Sequence, residues 1–351
     1  MKILYSFAKS GFEADYWTRE VAAASNGTTC FVPFNHGRYL NPYSYVRAQL
    51  LDNLYFANNR SLLQMYADIQ EKIRAERADA LLVDTYSPYH PEFLLNLDVY
   101  KVLRTTDGPL AAYDRDFAYL HAFDHILYHS PAYSRDMTMS RKLEYCGAKR
   151  FDFWPLGSFD ALCNRARTEA EIAAAPRDID VVFVGALHVN KMPLLATVKK
   201  ALGRRLRLFG IANLKKNLYF NLMYGLPGWV RPLPFEGYVP LYQRAKIGIN
   251  VHNRGDYTVG GYRLFDLPAN GVMQISDGGP YLQSFFQPGR EIVGYSDARD
   301  LIDKVRYYLT HDEERQQIAL GGFRRVQRDY RISTLLHRAA ELLARGMGTP
   351  A

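Results

Sequence analysis

The stretch from Thr258 to Gly271, TVGGYRLFDLPANG, sets bare backbone, a cation and a carboxylate between two apolar strands. Gly260 and Gly261 stand just before a predicted helix start, where backbone N–H groups lack intrahelical partners and can meet an anion. Arg263, in the first turn beside Tyr262, adds charge-assisted hydrogen bonds. Asp266, three residues on, lies on the same face, and a carboxylate there can accept two hydroxyls, as on a ribose. Together these groups suit a nucleoside diphosphate. The same spacing equally fits an Arg–Asp surface pair after a glycine loop.

A second group lies in FVGALHVNKMPLL (183–195). Gly185 ends a predicted strand, and Lys191 supplies another cation at a helix start, next to Asn190. The plainer reading is a capping Asn190 with a solvated lysine. Further strand ends fall at Gly11, Asp107, His129, Gly210, His252 and Asp277. In open α/β sheets, loops at that edge hold ligands. Other chemistries find no support. The first strand leads into SFAKSGFEAD, which is not GxGxxG, and there is no P-loop, GxSxG or HExxH. The DRD at 114–116 reads as a solvated helix face.

The elements that must position these residues follow from periodicity. Apolar runs at 2–7, 28–34, 78–86, 99–109 and 123–130 read as strands. Helical spacing covers 12–25, about 45–77 and 134–148. The pattern restarts with strands at 179–185, 205–210, 247–252, 272–276 and 290–295, and helices at 192–203, 240–246, 298–311, 312–330 and 333–346. Continuous apolar strands alternating with helices mean parallel sheets covered on both faces. At 351 residues the chain favours two domains. The expected boundaries are 1–163, a polar, alanine-rich linker at 164–178, a second domain at 179–332, and a C-terminal helix and tail at 333–351. Three cysteines without CxxC spacing point to a reducing compartment and no zinc site. No apolar run is long enough for a membrane span, and no leader pattern opens the chain; the expected location is the cytoplasm, peripheral to the inner membrane face. A net charge of +8 fits an anionic ligand or surface, and the scattered basic residues match no nucleic-acid-binding pattern.

The run YRLFDLPANGVMQISDGGPYLQSFFQPGREIVGYSDARDLIDKVRYYLTHDEERQQIALGGFRRV (262–326) resembles the C-terminal domain of GT-B glycosyltransferases of the group-1 (GT4-like) type, nearest their CgeB-like branch. Arg263, Phe265, Asp266, Ala269 and Gly271 match the pattern R-x-F-E-x-x-A-x-G. Phe286, Pro288, Gly289, Glu291 and Ile292 match F-x-P-G-x-E-I. The resemblance is firm from about 180 to 330 and weaker before. Asp266 stands where the pattern has glutamate, Thr258 where many relatives carry a second glutamate, and Tyr86 and Asp107 where relatives often carry histidine.

The resemblance implies an α/β GT-B fold: two doubly wound Rossmann-like domains facing a central cleft. It implies transfer of a hexosyl or deoxyhexosyl unit from a nucleoside-diphosphate donor, held mainly by the C-terminal domain. The acceptor is a hydroxyl on a glycan, a lipid-linked or a small molecule, held mainly by the N-terminal domain. No metal is obligatory, and there is no cofactor beyond the nucleotide-sugar co-substrate. Gly11 would approach the diphosphate, Lys191 and Arg263 would neutralise it, and Asp266 would hold the ribose. Gly185, Asn190, His252, Gly261 and Tyr262 complete the donor set. Inverting chemistry needs a base near the acceptor hydroxyl; Asp107 is the first candidate, then His90 and Asp15, although Asp107 also fits an ordinary TDGP turn. A non-catalytic glycan- or partner-binding module and a GT-B sugar-nucleotide epimerase are the rival readings. NLKKNLYFNLMYGLPGWVRPL (213–233), aromatic, apolar and basic, fits either a packed insertion or a membrane-docking element.

Overall fold

A computed structural model describes residues 1–8, 12–39, 60–84, 89–106, 118–134, 136–163, 168–210, 212–252 and 260–348. Gly11, Tyr86, Asp107, the DRD at 114–116 and Thr258 lie outside the described residues. The chain forms two compact units, one of Met1–Pro155 with Ile332–Ala351, the other of Leu156–Arg331.

The first unit carries strands β1 (Lys2–Phe7), β2 (Cys30–Asn35), β3 (Ala80–Asp84), β4 (Tyr100–Arg104), β5 (His125–Tyr128), β6 (Ala132–Ser134), β7 (Met137–Thr138) and β8 (Phe151–Phe153). Six of them form a parallel sheet in the order β2-β1-β3-β4-β5-β8. β3 reads ALLVD and is buried along its whole length, as expected of a central parallel strand covered on both faces. The helix Arg60–Glu76 buries Leu62, Met65, Tyr66, Ile69 and Ile73, a stripe at three- and four-residue spacing. Each such side chain contributes about 1.5–3 kcal/mol when fully buried. The rest of the helical region expected from about 45 lies outside the described residues.

The predicted helix at 134–148 is shorter in the structure. β6 and β7 pair as an antiparallel ladder, and the helix runs only from Met139 to Tyr145. Thr138 sets its start: its Oγ1 accepts a hydrogen bond from Arg141 N at 3.3 Å, satisfying an otherwise unpaired donor of the first turn. Where β4 ends, Arg104 is fully buried and bonds Asp84 Oδ1 at 3.1 Å. Its guanidinium lies 4.6 Å from the Trp154 ring centroid and 5.5 Å from that of Trp17, so the buried charge is paired and stacked.

The second unit holds β9 (Ile179–Val184), β10 (Leu206–Phe209), β11 (Ala245–Asn250), β12 (Met273–Ser276) and β13 (Val293–Gly294), parallel in the order β10-β9-β11-β12-β13. The short helix Arg263–Ala269 crosses β11 closely. A Cβ on Gly248 would lie 2.5 Å from Leu267 Cδ2, so the bare glycine admits the helix. The alanine-rich stretch read as a linker belongs, where described, to this unit. Thr168 and Glu171 form a reciprocal cap on the helix Glu169–Ala174. Arg177 then donates to Tyr242 O and Asn270 O, both at 3.1 Å. The helix expected over 312–330 is α-helical to Arg325 and closes in a wider π turn, Val326–Tyr330. That turn sets the Tyr330 ring 5.0 Å from Phe265, with its hydroxyl donating to Phe285 O at 2.7 Å.

The last helix, Ile332–Gly346, joins the first unit. Leu335, Leu336, Ala339 and Leu343 are fully buried. Trp154 Nε1 donates to Leu335 O at 2.7 Å, and His337 Nε2 donates to Ala24 O at 2.7 Å.

Candidate functional site

The carboxyl ends of β9, β11 and β12 bring residues from four separate segments together. Arg263, at the start of its helix, reaches back across the sheet edge. Its Nε donates to Val184 O, the last residue of β9. Its Nη1 donates to Asn250 Oδ1 at 3.0 Å and more weakly to Val251 O at 3.4 Å. The guanidinium carbon lies 4.9 Å from the Phe183 ring centroid. Gly185 makes this possible, because a Cβ there would fall 1.7 Å from Arg263 Nη2. The strand-end glycine is therefore needed for the arginine's position, not only for a turn.

Asn250 passes the arrangement on. With Oδ1 committed to Arg263, its Nδ2 faces Ser276 Oγ at 3.2 Å and His252 Nε2 at 3.4 Å. His252 Nδ1 lies 2.6 Å from Asp277 Oδ1, and its backbone N donates to both Asp277 oxygens at 3.0 Å. The carboxylate can only accept, so Nδ1–H donates to it, while Nε2 faces the Asn250 amide. A continuous chain thus runs Asp277–His252–Asn250–Arg263.

Lys191 is the second cation. It ends a short 3₁₀ turn, Val189–Lys191, and is 4% exposed. Among the described residues its ammonium has no hydrogen-bond or ion-pair partner. Burial lowers its pKa to about 7, the neighbouring charge of Arg263 lowers it further, and Asp277 acts in the opposite direction. A solvated lysine beside a capping Asn190 is not what forms: Asn190 is exposed, and the helix Met192–Leu202 has no side-chain cap.

Asp266 is buried on the same short helix, and its Oδ1 accepts from Ser158 Oγ at 2.6 Å. Burial raises its pKa to about 7, against the opposing effects of the Ser158 bond and the Arg263 charge. Among the described residues Arg263 and Asp266 do not bond each other, so the surface Arg–Asp pair is excluded. One turn on, Asn270 Nδ2 bonds Leu162 O at 2.7 Å and Asp266 O at 2.8 Å. Tyr262 rests its ring 5.9 Å from Phe159, and Gly261 is exposed at the loop before it.

The structure therefore joins Gly185, His252 and Arg263 at one sheet edge, and adds Asn250 and Asp277. Lys191 and Asp266 lie within reach of the Arg263 charge, with Ser158 bonded to Asp266. Asn250 carried a signal, a polar side chain closing the apolar strand IGIN. Ser158 carried none. Of the acid–base candidates, Asp107 lies outside the described residues and the other two lie in the first unit. His90 caps the helix Pro91–Leu95 through Nδ1, which accepts from Glu92 N at 3.3 Å. Asp15 is exposed on the helix Phe12–Ala23. Among the described residues no three His, Cys, Asp or Glu side chains cluster closely enough to share a metal ion.

No curated protein matches the chain in sequence. Solved structures match nearly its whole length at low identity, among them these at 12%. Anabaena HepE, solved in complex with UDP and glucose, has a TM-score of 0.63 and covers 98% of this chain and 100% of its own. Sucrose-phosphate synthase from Thermosynechococcus elongatus has a TM-score of 0.62 and covers 99% of each. UDP-GlcNAc 2-epimerase from Neisseria meningitidis, bound to UDP-GlcNAc, has a TM-score of 0.52 and covers 98% of this chain and 100% of its own. The likeness is one of fold. Two parallel-sheet α/β units with a returning C-terminal helix give this chain the GT-B fold, and its residues 192–344 match the family described as glycosyl transferase-like.

Proposed function

We propose that the protein is a glycosyltransferase that moves a sugar from a nucleoside-diphosphate donor to a hydroxyl acceptor. One observation carries this reading: Arg263 is held at a sheet edge against a bare glycine, and the buried Lys191 ammonium lies within reach of its charge. Burying like charges together is unfavourable, and a diphosphate compensates both. When the bond from the anomeric carbon to the diphosphate breaks, negative charge gathers on the leaving oxygen. A cation already fixed in place stabilises it without reorganisation. Arg263 is fixed by Val184 O and Asn250. The protein's own two cations supply the charge that a divalent ion supplies elsewhere, so the proposed transfer is metal-independent.

A uridine nucleotide is the first donor to test, since solved relatives of this fold bind UDP or UDP-sugars. Asp266 is proposed for the ribose, with Gly11, Asn190, Gly261 and Tyr262 around the donor. Asp107, His90 and Asp15 remain the proposed bases. The group-1, CgeB-like assignment rests on the run from Arg263 to Ile292, and glycan or glycoconjugate synthesis is the setting it suggests.

The test incubates the protein with UDP-sugars, with and without a panel of hydroxyl acceptors, and follows UDP release and product mass. The proposal expects UDP release coupled to acceptor glycosylation, lost in Arg263→Ala. Inversion at the sugar C2 without net UDP release would instead establish the epimerase reading. Donor binding with no turnover of any kind would establish the binding module.

A further inference from the structure

The helix Leu214–Tyr224 turns Phe220 and Asn217 inward, Phe220 into the apolar core of the second unit. Asn217 Nδ2 donates to Val230 O at 3.2 Å, and its Oδ1 accepts from Val230 N at 2.8 Å. Asn221 Nδ2 bonds Gly228 O at 3.0 Å. Amide side chains thus lash the helix to the loop behind it. The outward side carries an apolar row. Leu214, Leu218 and Leu222 are 62%, 55% and 84% exposed, and at four-residue spacing they form one line. Met223 is exposed beside them, and Trp229, 55% exposed, stands on the adjoining loop. Singly exposed apolar residues are ordinary, but a contiguous row is a contact surface.

Charge identifies the occupant. The segment 181–235 contains nine of the chain's 44 Lys and Arg residues and none of its 36 Asp and Glu residues. The remainder of the chain holds 35 basic against 36 acidic residues, so the whole excess of +8 originates here. Lys215 and Lys216 are exposed in the first turn of the same helix, Lys215 beside the leucine row. Lys200 reaches its C-terminal end, where a Cβ on Gly225 would lie 2.9 Å from the lysine Nζ. An apolar row that inserts, a tryptophan at its edge and surrounding lysines match an anionic lipid surface. Among the described residues no helix is long and apolar enough to cross a membrane. We propose that this face of the second unit docks the protein peripherally on an anionic bilayer.

The test is co-sedimentation of the full chain with phosphatidylcholine vesicles, with and without phosphatidylglycerol. Retention is expected only with the anionic lipid. Lys215→Ser/Lys216→Ser should weaken it about 30-fold, from about fivefold per lysine at the surface. Leu218→Ser/Leu222→Ser should abolish it while leaving the thermal midpoint unchanged, because both side chains are exposed. Trp17 and Trp154 are fully buried, so a blue shift of tryptophan emission on anionic vesicles should vanish in Trp229→Phe. Equal retention of wild type and both double variants, or no retention of wild type, overturns the proposal. So does a leucine variant that abolishes self-association in light scattering and leaves retention intact, because the face then belongs to a second copy.

Discussion

At the residue scale the proposed donor site asks different things of Arg263 and Lys191. Arg263 is held by a planar fork of bonds that an ammonium cannot reproduce. Arg263→Lys is therefore expected to weaken UDP-sugar binding by roughly 10–100-fold, about 1.4–2.8 kcal/mol, and calorimetric titration measures it. Asn250→Ala leaves the charge in place and removes the side chain that aims it. It should lower kcat more than it raises KM, which steady-state kinetics separates. Lys191, Arg263 and Asp266 were legible in sequence because cation, glycine and carboxylate fall within short windows. The Ser158 bond to Asp266 was not: the partners are 108 residues apart, and no local pattern links them.

The sheet edge fixes the site through close approaches at the scale of elements. Gly185→Ala would push a methyl into the Arg263 guanidinium, whose flexible end can move aside. Donor affinity should fall markedly, and the denaturant midpoint should fall with it, because Gly185 holds φ +154°, where a side chain is strained. Gly248→Val acts on packing alone. It sets bulk where Leu267 crosses β11 and should destabilise the fold by about 1–3 kcal/mol, read from chemical unfolding. β9, expected at 179–185 and found at Ile179–Val184, shows why such strands are legible: burial on both faces demands an unbroken apolar run. The β6–β7 hairpin was not legible, because those few residues share the polarity and spacing of a helix start. The π turn at Val326–Tyr330 was missed for a different reason: long-range packing of Tyr330 on Phe265 sets it, not local propensity.

At the scale of the whole molecule, the chain leaves the first unit after Pro155 and rejoins it at Ile332. Deleting 332–351 uncovers Leu335, Leu336 and Leu343 contacts and leaves Trp154 Nε1 unpaired. A calorimetric transition of the first unit should drop or disappear while donor binding by the second persists. The two shifted groups also shape stability against pH. Asp266 has its pKa raised from 3.8 to about 7 by folding, so its contribution is complete below 3.8 and is lost as pH rises through about 7. Lys191 has its pKa lowered from 10.5 to about 7, so its destabilising charge persists below 7 and is relieved as pH rises toward 10.5. Their combined effect is a dip in stability near neutrality, and Asp266→Asn or Lys191→Met should each be more stable than wild type at pH 7 while binding donor less well. The central claim, a diphosphate seated on Lys191 and Arg263, has its most direct test in titration calorimetry with UDP-glucose at pH 8, in two buffers of different ionisation enthalpy. The account predicts net proton uptake on binding, as the diphosphate recharges Lys191, and loss of that uptake with weaker affinity in Lys191→Met. Absence of binding, or uptake and affinity identical in the variant, would contradict it.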